Sequence, residues 1–134
     1  MGTVYVARSV SFGKWASDVG LSKHVFKVGV TDEAVKPLVE AGWAGFTDWA
    51  LLKQQDAAGV TEEEVIERLS TKQKLIDPAL YPRLRGTMGV FKVIPAHVEN
   101  HIIVGRALAG TETASNLKVK PIDFAAFLIH NALK

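Results

Sequence analysis

Val25-Phe26-Lys27-Val28-Gly29-Val30-Thr31, running into Asp32-Glu33, is the stretch that decides the fold of this chain. Apolar residues alternate with Lys27 and Gly29, and the run breaks at a good helix start. Upstream, Val4-Tyr5-Val6 supplies a natural strand partner. Side chains along a strand point to opposite faces in turn, which groups Phe26, Val28 and Val30 against Lys27 and Gly29. The same alternation splits Val4 and Val6 from Tyr5. With the valines turned to the core, Tyr5 and Lys27 share the opposite face, and Gly29 leaves bare backbone beside them. Next to a helix N-terminus, a tyrosine and a lysine make a corner suited to handling phosphate. The plainer alternative is a tyrosine capping a sheet edge and a lysine keeping a strand soluble.

The chain has 134 residues, which suits one domain with a real core. Hydrophobic residues make up 48% and charged residues 22%, a globular balance rather than a disordered one. No apolar run reaches membrane-spanning length, and the N-terminus lacks a charged-then-apolar signal pattern, so no membrane association and cytoplasmic residence are expected. With Cys 0, a disulfide framework and thiolate metal sites are excluded. A net charge of +2 permits nucleic acid as a partner without demanding it.

Working outward, residues 3–8 read as a strand, and residues 9–24 as a long connection. Lys14, Trp15, Lys23 and His24 in that connection can meet nucleic acid by charge and stacking; the alternative for Trp15 is a lid over the core. Thr31 caps the next helix, with Asp32 and Glu33 in its first turn. An interior Pro37 would cost about 3 kcal/mol, so that helix either kinks or begins there, and it stops at Gly42. Residues 47–54 form a third strand with Trp49 and Leu51 on one face. Thr61 and Glu64 make a capping box, followed by an apolar stripe of Val65, Ile66 and Leu69. Residues 72–85 are irregular and basic, carrying Lys72, Lys74, Arg83 and Arg85 against Asp77 alone. They read as a solvated loop or a phosphate-contacting one. Residues 88–94 are a fourth strand. Pro95 starts a helix to about Leu108, where His97 and His101 fall at the edge of a packed face. Pro121 starts an apolar helix with Ile122, Phe124, Phe127, Leu128, Ile129 and Leu133, which must be buried against the domain or a partner.

Tyr5-Val6 together with Phe26-Lys27-Val28-Gly29-Val30-Thr31 resembles the paired motif of the GIY-YIG nuclease superfamily, in the phage-type branch whose second motif reads roughly Tyr-Lys-Ile-Gly-Lys-Thr. Arg85-Gly86-Thr87-Met88-Gly89-Val90-Phe91-Lys92-Val93 resembles the strand that closes that domain. The likeness spans residues 3 to 105, and the long connection before His24 departs from compact members. It implies phosphodiester cleavage with one divalent metal, Mg²⁺ or Mn²⁺, held by a helix glutamate. By motif, Tyr5 and Lys27 match the proton-handling pair and Gly29 the glycine that lets backbone approach. Glu63 or Glu64 is the candidate metal ligand, although acids in a first turn are what a helix dipole favours anyway. The pattern also wants an arginine where Lys36 and Pro37 stand. Lys36 supplies charge but no bidentate fork, and losing such an arginine can reduce rate on the order of 10³-fold or more. An acid expected before Phe91 is missing as well.

The expected architecture is therefore α/β of the α+β kind, a mostly antiparallel three- to four-stranded sheet flanked by helices. Residues 1–110 form a GIY-YIG-like domain and 111–134 a linker and C-terminal helix. The implied function is an endonuclease-like domain with weakened or lost activity. DNA or RNA would be contacted through Lys14, Arg83 and Arg85. The alternative is an interaction module that keeps the fold and forms a homodimer through the C-terminal helix.

Overall fold

The computed structural model describes residues 2–21, 23–57, 59–81, 84, 87–108 and 119–133. The elements run β1 (Thr3–Ser9), α1 (Val10–Asp18), β2 (Val25–Thr31), α2 (Val35–Ala41), β3 (Trp49–Asp56), α3 (Glu62–Ser70), β4 (Lys74–Leu75), β5 (Val90–Lys92), α4 (Pro95–Leu108) and α5 (Pro121–Ala132). The strands form one antiparallel sheet in the order β3-β1-β2-β5-β4. The class is the α+β one expected, with five strands instead of three or four. The additional strand is β4, two residues long inside the stretch read as irregular. So short a segment carries no periodicity, and its pairing with β5 creates it.

Helices cover both faces of the sheet. One face buries Val4, Val6, Phe26, Val28, Phe91 and Val93 under α3, α4 and α5. The other buries Tyr5, Ala7, Val25 and Val90 under α1, α2 and the segment around Ile76 and Leu84. The strand phases are those that the valine alternation requires. β3 is one of the two edge strands, and most of its residues are exposed. A register shift against β1 between Val6 and Ala7 marks a bulge there.

The connection after β1 contains a helix, α1. Ser9 caps it by accepting a hydrogen bond from the Phe12 N–H at 3.0 Å, and Ser9 Oγ in turn donates to Asp48. Asp48 also accepts from the Ser11 N–H at 2.9 Å. These bonds, the one from Ser9 first, hold the Asp48 carboxyl below the usual carboxylate range. The Ser9 cap is local, but the Asp48 carboxylate that anchors it is distant in sequence, and that support cannot be read from the segment itself. Trp15 is half-buried, packing on Phe12 and Tyr81. In α2, Pro37 lies in the first turn, where a missing N–H removes no helical bond. In α3, Thr61 accepts from the Glu64 N–H at 3.2 Å, as the capping pattern implies.

α5 belongs to the core of the chain. Phe124, Phe127, Leu128 and Ile129 are all buried against α3, α4, β1 and β3. The side chains named for a dimer contact are thus occupied internally, leaving Ile122 as the exposed apolar one of that set. Among the described residues, no helix is long and apolar enough to cross a membrane. Truncating a fully buried leucine removes contacts and leaves a void, so Leu128→Ala should lower the unfolding free energy by about 2–5 kcal/mol. Ile122→Ala, at 43% exposure, should change it by no more than about 0.5 kcal/mol. Urea denaturation of both variants checks this, and equal losses would show that α5 is not packed as described.

Candidate functional site

Tyr5 lies directly opposite Gly29, and Ala7 opposite Lys27, in the β1–β2 ladder. Tyr5 and Lys27 therefore stand on the same sheet face, on adjacent strands. The phenol crosses over Gly29, and a Cβ there would collide with the Tyr5 hydroxyl and come within 2.8 Å of a Glu62 oxygen. Glycine is required by this close approach and not by backbone strain. On the other side of Lys27, a Cβ at Gly89 would strike the Val28 carbonyl and approach the lysine Nζ at 3.1 Å. Gly89 has φ 85, in the left-handed region that favours glycine.

The Lys27 ammonium sits in an aromatic and carbonyl box. It lies 5.7 Å from the Tyr5 ring centroid and 5.5 Å from that of Trp43. It donates to the Val28 carbonyl at 3.2 Å and pairs with Glu62 Oε1 at 3.8 Å. Trp43 stacks on Tyr5 at 5.9 Å and 14°. The indole is held there by the turn over residues 43–46, in which Ala44 adopts φ 57 and the Phe46 N–H donates to the Trp43 carbonyl at 3.0 Å. Trp49 Nε1 donates to the same carbonyl, also at 3.0 Å.

Both Tyr5 and Lys27 are 3% exposed. This departs from an open corner: the two side chains form the floor of a shallow depression of about 350 Å³. Val30, Thr31, Leu38, Thr87 and Met88 complete its walls. Desolvation explains the titration of both groups. Burial, and secondarily the Glu62 charge, raises the Tyr5 pKa, so the phenol stays protonated. Burial lowers the Lys27 pKa below 10.5, partly offset by Glu62. Lys27 is thus the group at this corner whose proton is loosened.

The carboxylate that reaches the corner is Glu62, not Glu63 or Glu64. Glu62 Oε1 accepts from the Val30 N–H at 3.4 Å while facing Lys27, and the side chain remains 44% exposed. Glu63 is exposed, and Glu64 is engaged with Thr61 at 3.2 Å and Arg68 at 3.5 Å. The signal that finds Glu62 is helical phase. Val65 and Leu69 are the buried stripe of α3, and Glu62 lies three and seven residues before them on the same face.

Other candidates fall elsewhere. Lys36 lines a separate, larger cleft of about 680 Å³ with Glu33, Glu40, Trp49 and Asp56, and does not line the corner. Lys14 is exposed on α1, away from the walls of the depression. Arg83 and Arg85 lie outside the described residues. His97 contacts Gln73 at 3.3 Å, and His101 packs on His130 and Phe127. No cluster of three or more His, Asp or Glu side chains able to hold a metal ion lies among the described residues. Glu62 alone offers one carboxylate beside solvent, which fits a hydrated Mg²⁺ or Mn²⁺ that keeps most of its waters and relies on substrate oxygens.

A lysine whose folded pKa is depressed binds fewer protons in the folded state than in the unfolded one. Its burial therefore opposes folding at neutral pH, and the penalty fades as pH rises towards 10.5, the ordinary lysine value. Lys27→Met should consequently be neutral or stabilising at neutral pH, with the difference from the parent chain narrowing as pH rises. Unfolding titrations kept below pH 10.0, the ordinary tyrosine value, avoid the opposing contribution of Tyr5. A difference that stays constant or widens would contradict a desolvated Lys27.

Compared with models of known protein families, with curated proteins and with solved structures, the chain matches none.

Proposed function

We propose that the Tyr5–Lys27–Glu62 corner handles a phosphodiester, and that the chain is a nuclease-like domain of the GIY-YIG type with weakened chemistry. The observation that carries this reading is the convergence of three side chains from three elements on one depression, with Lys27 3.8 Å from Glu62. Burial lowers the cost of removing the Lys27 proton, and in that neutral form, with the Glu62 ion pair given up, the amine can take a proton from an attacking water as it adds to phosphorus. The Tyr5 phenol, kept protonated, hydrogen-bonds and orients oxygen atoms without being consumed. As the P–O bond to the leaving oxygen breaks, that oxygen takes its proton from solvent at the open mouth of the depression. A divalent ion on Glu62 would supply charge stabilisation for the phosphoryl oxygens. Lys36 faces another cleft, so among the described residues lining the depression none stands in for a charge-stabilising arginine, and slow turnover follows from that arrangement.

A second reading has its own support. The near-complete burial of Tyr5 and Lys27 suits a domain that retains the fold for binding alone. The two separate in one experiment, in which single- and double-stranded DNA and RNA are titrated at two salt concentrations, with and without Mg²⁺ or Mn²⁺. Cleavage should need the metal and fall by about 10²-fold or more in Lys27→Ala and in Glu62→Gln, with binding largely kept. Lys36→Ala should have a smaller effect. Salt-sensitive binding without cutting would leave a recognition domain, and no binding at low salt would remove nucleic acid as the partner altogether.

A further inference from the structure

We propose that the outer edge of β3 is a docking strand for an extended polypeptide segment in which basic and apolar side chains alternate. Among the described residues β3 pairs with β1 alone, and it stands at one end of the sheet. The register shift between Val6 and Ala7 leaves Leu52 outside the ladder. The regular part of β3 is therefore Lys53–Asp56, which runs opposite Val6 back to Thr3. All four of these β3 residues are exposed. In an antiparallel ladder, alternate residues of an edge strand turn both N–H and C=O away from the sheet, where a further strand can meet them. The opposite edge, β4, is two residues long and too short to serve in this way.

Two clefts flank this edge, one on each face of the sheet, and they select the occupant. On the α2 face, Leu51, Gln54 and Asp56 line the cleft of about 680 Å³ together with Glu33, Lys36 and Glu40. On the α5 face, Lys53 and Gln55 line a smaller one of about 280 Å³ with Ala126, Ile129 and Leu133. A strand laid about 4.8 Å beyond β3 sends successive side chains to the two faces in turn. On the α2 face they meet a cleft whose described lining holds three carboxylates and one ammonium, which suits a lysine or arginine. On the α5 face they meet Lys53 and the apolar flank of α5, which suits an aliphatic side chain and opposes a second cation. Main-chain bonds to the edge would supply affinity, and the two clefts the choice of side chains. The same charges disfavour a second copy of this chain. Antiparallel pairing of β3 with its own copy about a two-fold axis sets like faces side by side, so the acids of one cleft would adjoin those of the other. This edge is separate from the Tyr5–Lys27 corner and needs none of its chemistry.

The test is an NMR titration of the intact chain with a peptide of about eight residues that alternates lysine and valine, matching β3 in length. Saturable shifts centred on the Lys53–Asp56 amides are expected, with slower hydrogen exchange at those that face outward. A peptide alternating glutamate and valine should bind at least about tenfold more weakly. Because N–H groups alternate between the two edges of a strand, methylating the backbone nitrogens of the lysines or of the valines blocks one edge only. One of these two peptides should lose binding and the other keep it. Glu33→Gln combined with Glu40→Gln should weaken binding about fivefold, the effect of losing exposed ion pairs. Glu67→Gln, on α3, should leave it unchanged. All three glutamates are exposed, and circular dichroism checks the fold of each variant. Shifts that do not saturate, equal binding of the two methylated peptides or equal binding of the two charge patterns would overturn the proposal. So would sedimentation showing that the chain alone self-associates with Lys53–Asp56 protected, which would assign the edge to a second copy.

Discussion

The placement of Tyr5 across Gly29 is the constraint on which the candidate site depends. The glycine lets the phenol hydroxyl approach the β2 backbone closely, and the Glu62 carboxylate reaches the same point. Trp43 then stacks on the phenol and closes Lys27 in from above. Each neighbour is positioned by the one before it. Any side chain at position 29 would displace the tyrosine, and with it the floor of the depression.

Burial then determines the chemistry available. An ammonium taken out of water loses hydration, and a single half-exposed carboxylate at 3.8 Å returns only part of it. The outcome is a lysine that holds its proton loosely beside a tyrosine that holds its own tightly. Opposite displacements of two neighbouring groups are how a small site separates proton acceptor from hydrogen-bond donor. Such displacements also occur in purely structural pairs, and here both the aromatic box and the ladder register serve the packing of the second core. The packing of Tyr5 and Trp43 at the corner therefore contributes to stability whatever else it does, while the buried charge of Lys27 opposes it.

The two faces of the sheet carry different electrostatic characters. Under α1 and α2, Lys27 is answered by Glu62, and the neighbouring cleft around Lys36 is answered by Glu33, Glu40 and Asp56. Under α5, Arg8 and Lys23 line a cleft with Phe26 and Phe124, and no acid is among its described lining residues. A net charge of +2 for the whole chain conceals this segregation, which arises because alternation along β1 and β2 sends neighbouring residues to opposite faces.

Alternation is local and was legible without coordinates, as was the cap at Thr61. The cap expected at Thr31 is absent: Thr31 ends β2, and α2 begins after Ala34 with no side-chain cap and no acid in its first turn. The pairing of β1 with β2, the common face of Tyr5 and Lys27, the Thr61 cap, and the helices beginning at Pro95 and Pro121 all follow from side-chain period, backbone dihedrals and missing donors within a few residues. What lay beyond sequence was every feature that needs a distant partner. Helix α1 is completed by Asp48 and strand β4 by β5, and neither partner is near in sequence. The burial of Tyr5 and Lys27 requires Trp43, whose position is set by the turn over residues 43–46 and by Trp49. The choice of Glu62 over Glu63 and Glu64 lay between these cases. The phase of Val65 and Leu69 contained it, but only the docking of α3 against β2 showed which face looks towards Lys27. Sequence alone sets which side chains share a face, because that depends on the period of the backbone; tertiary structure decides what each face meets, because that depends on how separate elements fill one volume.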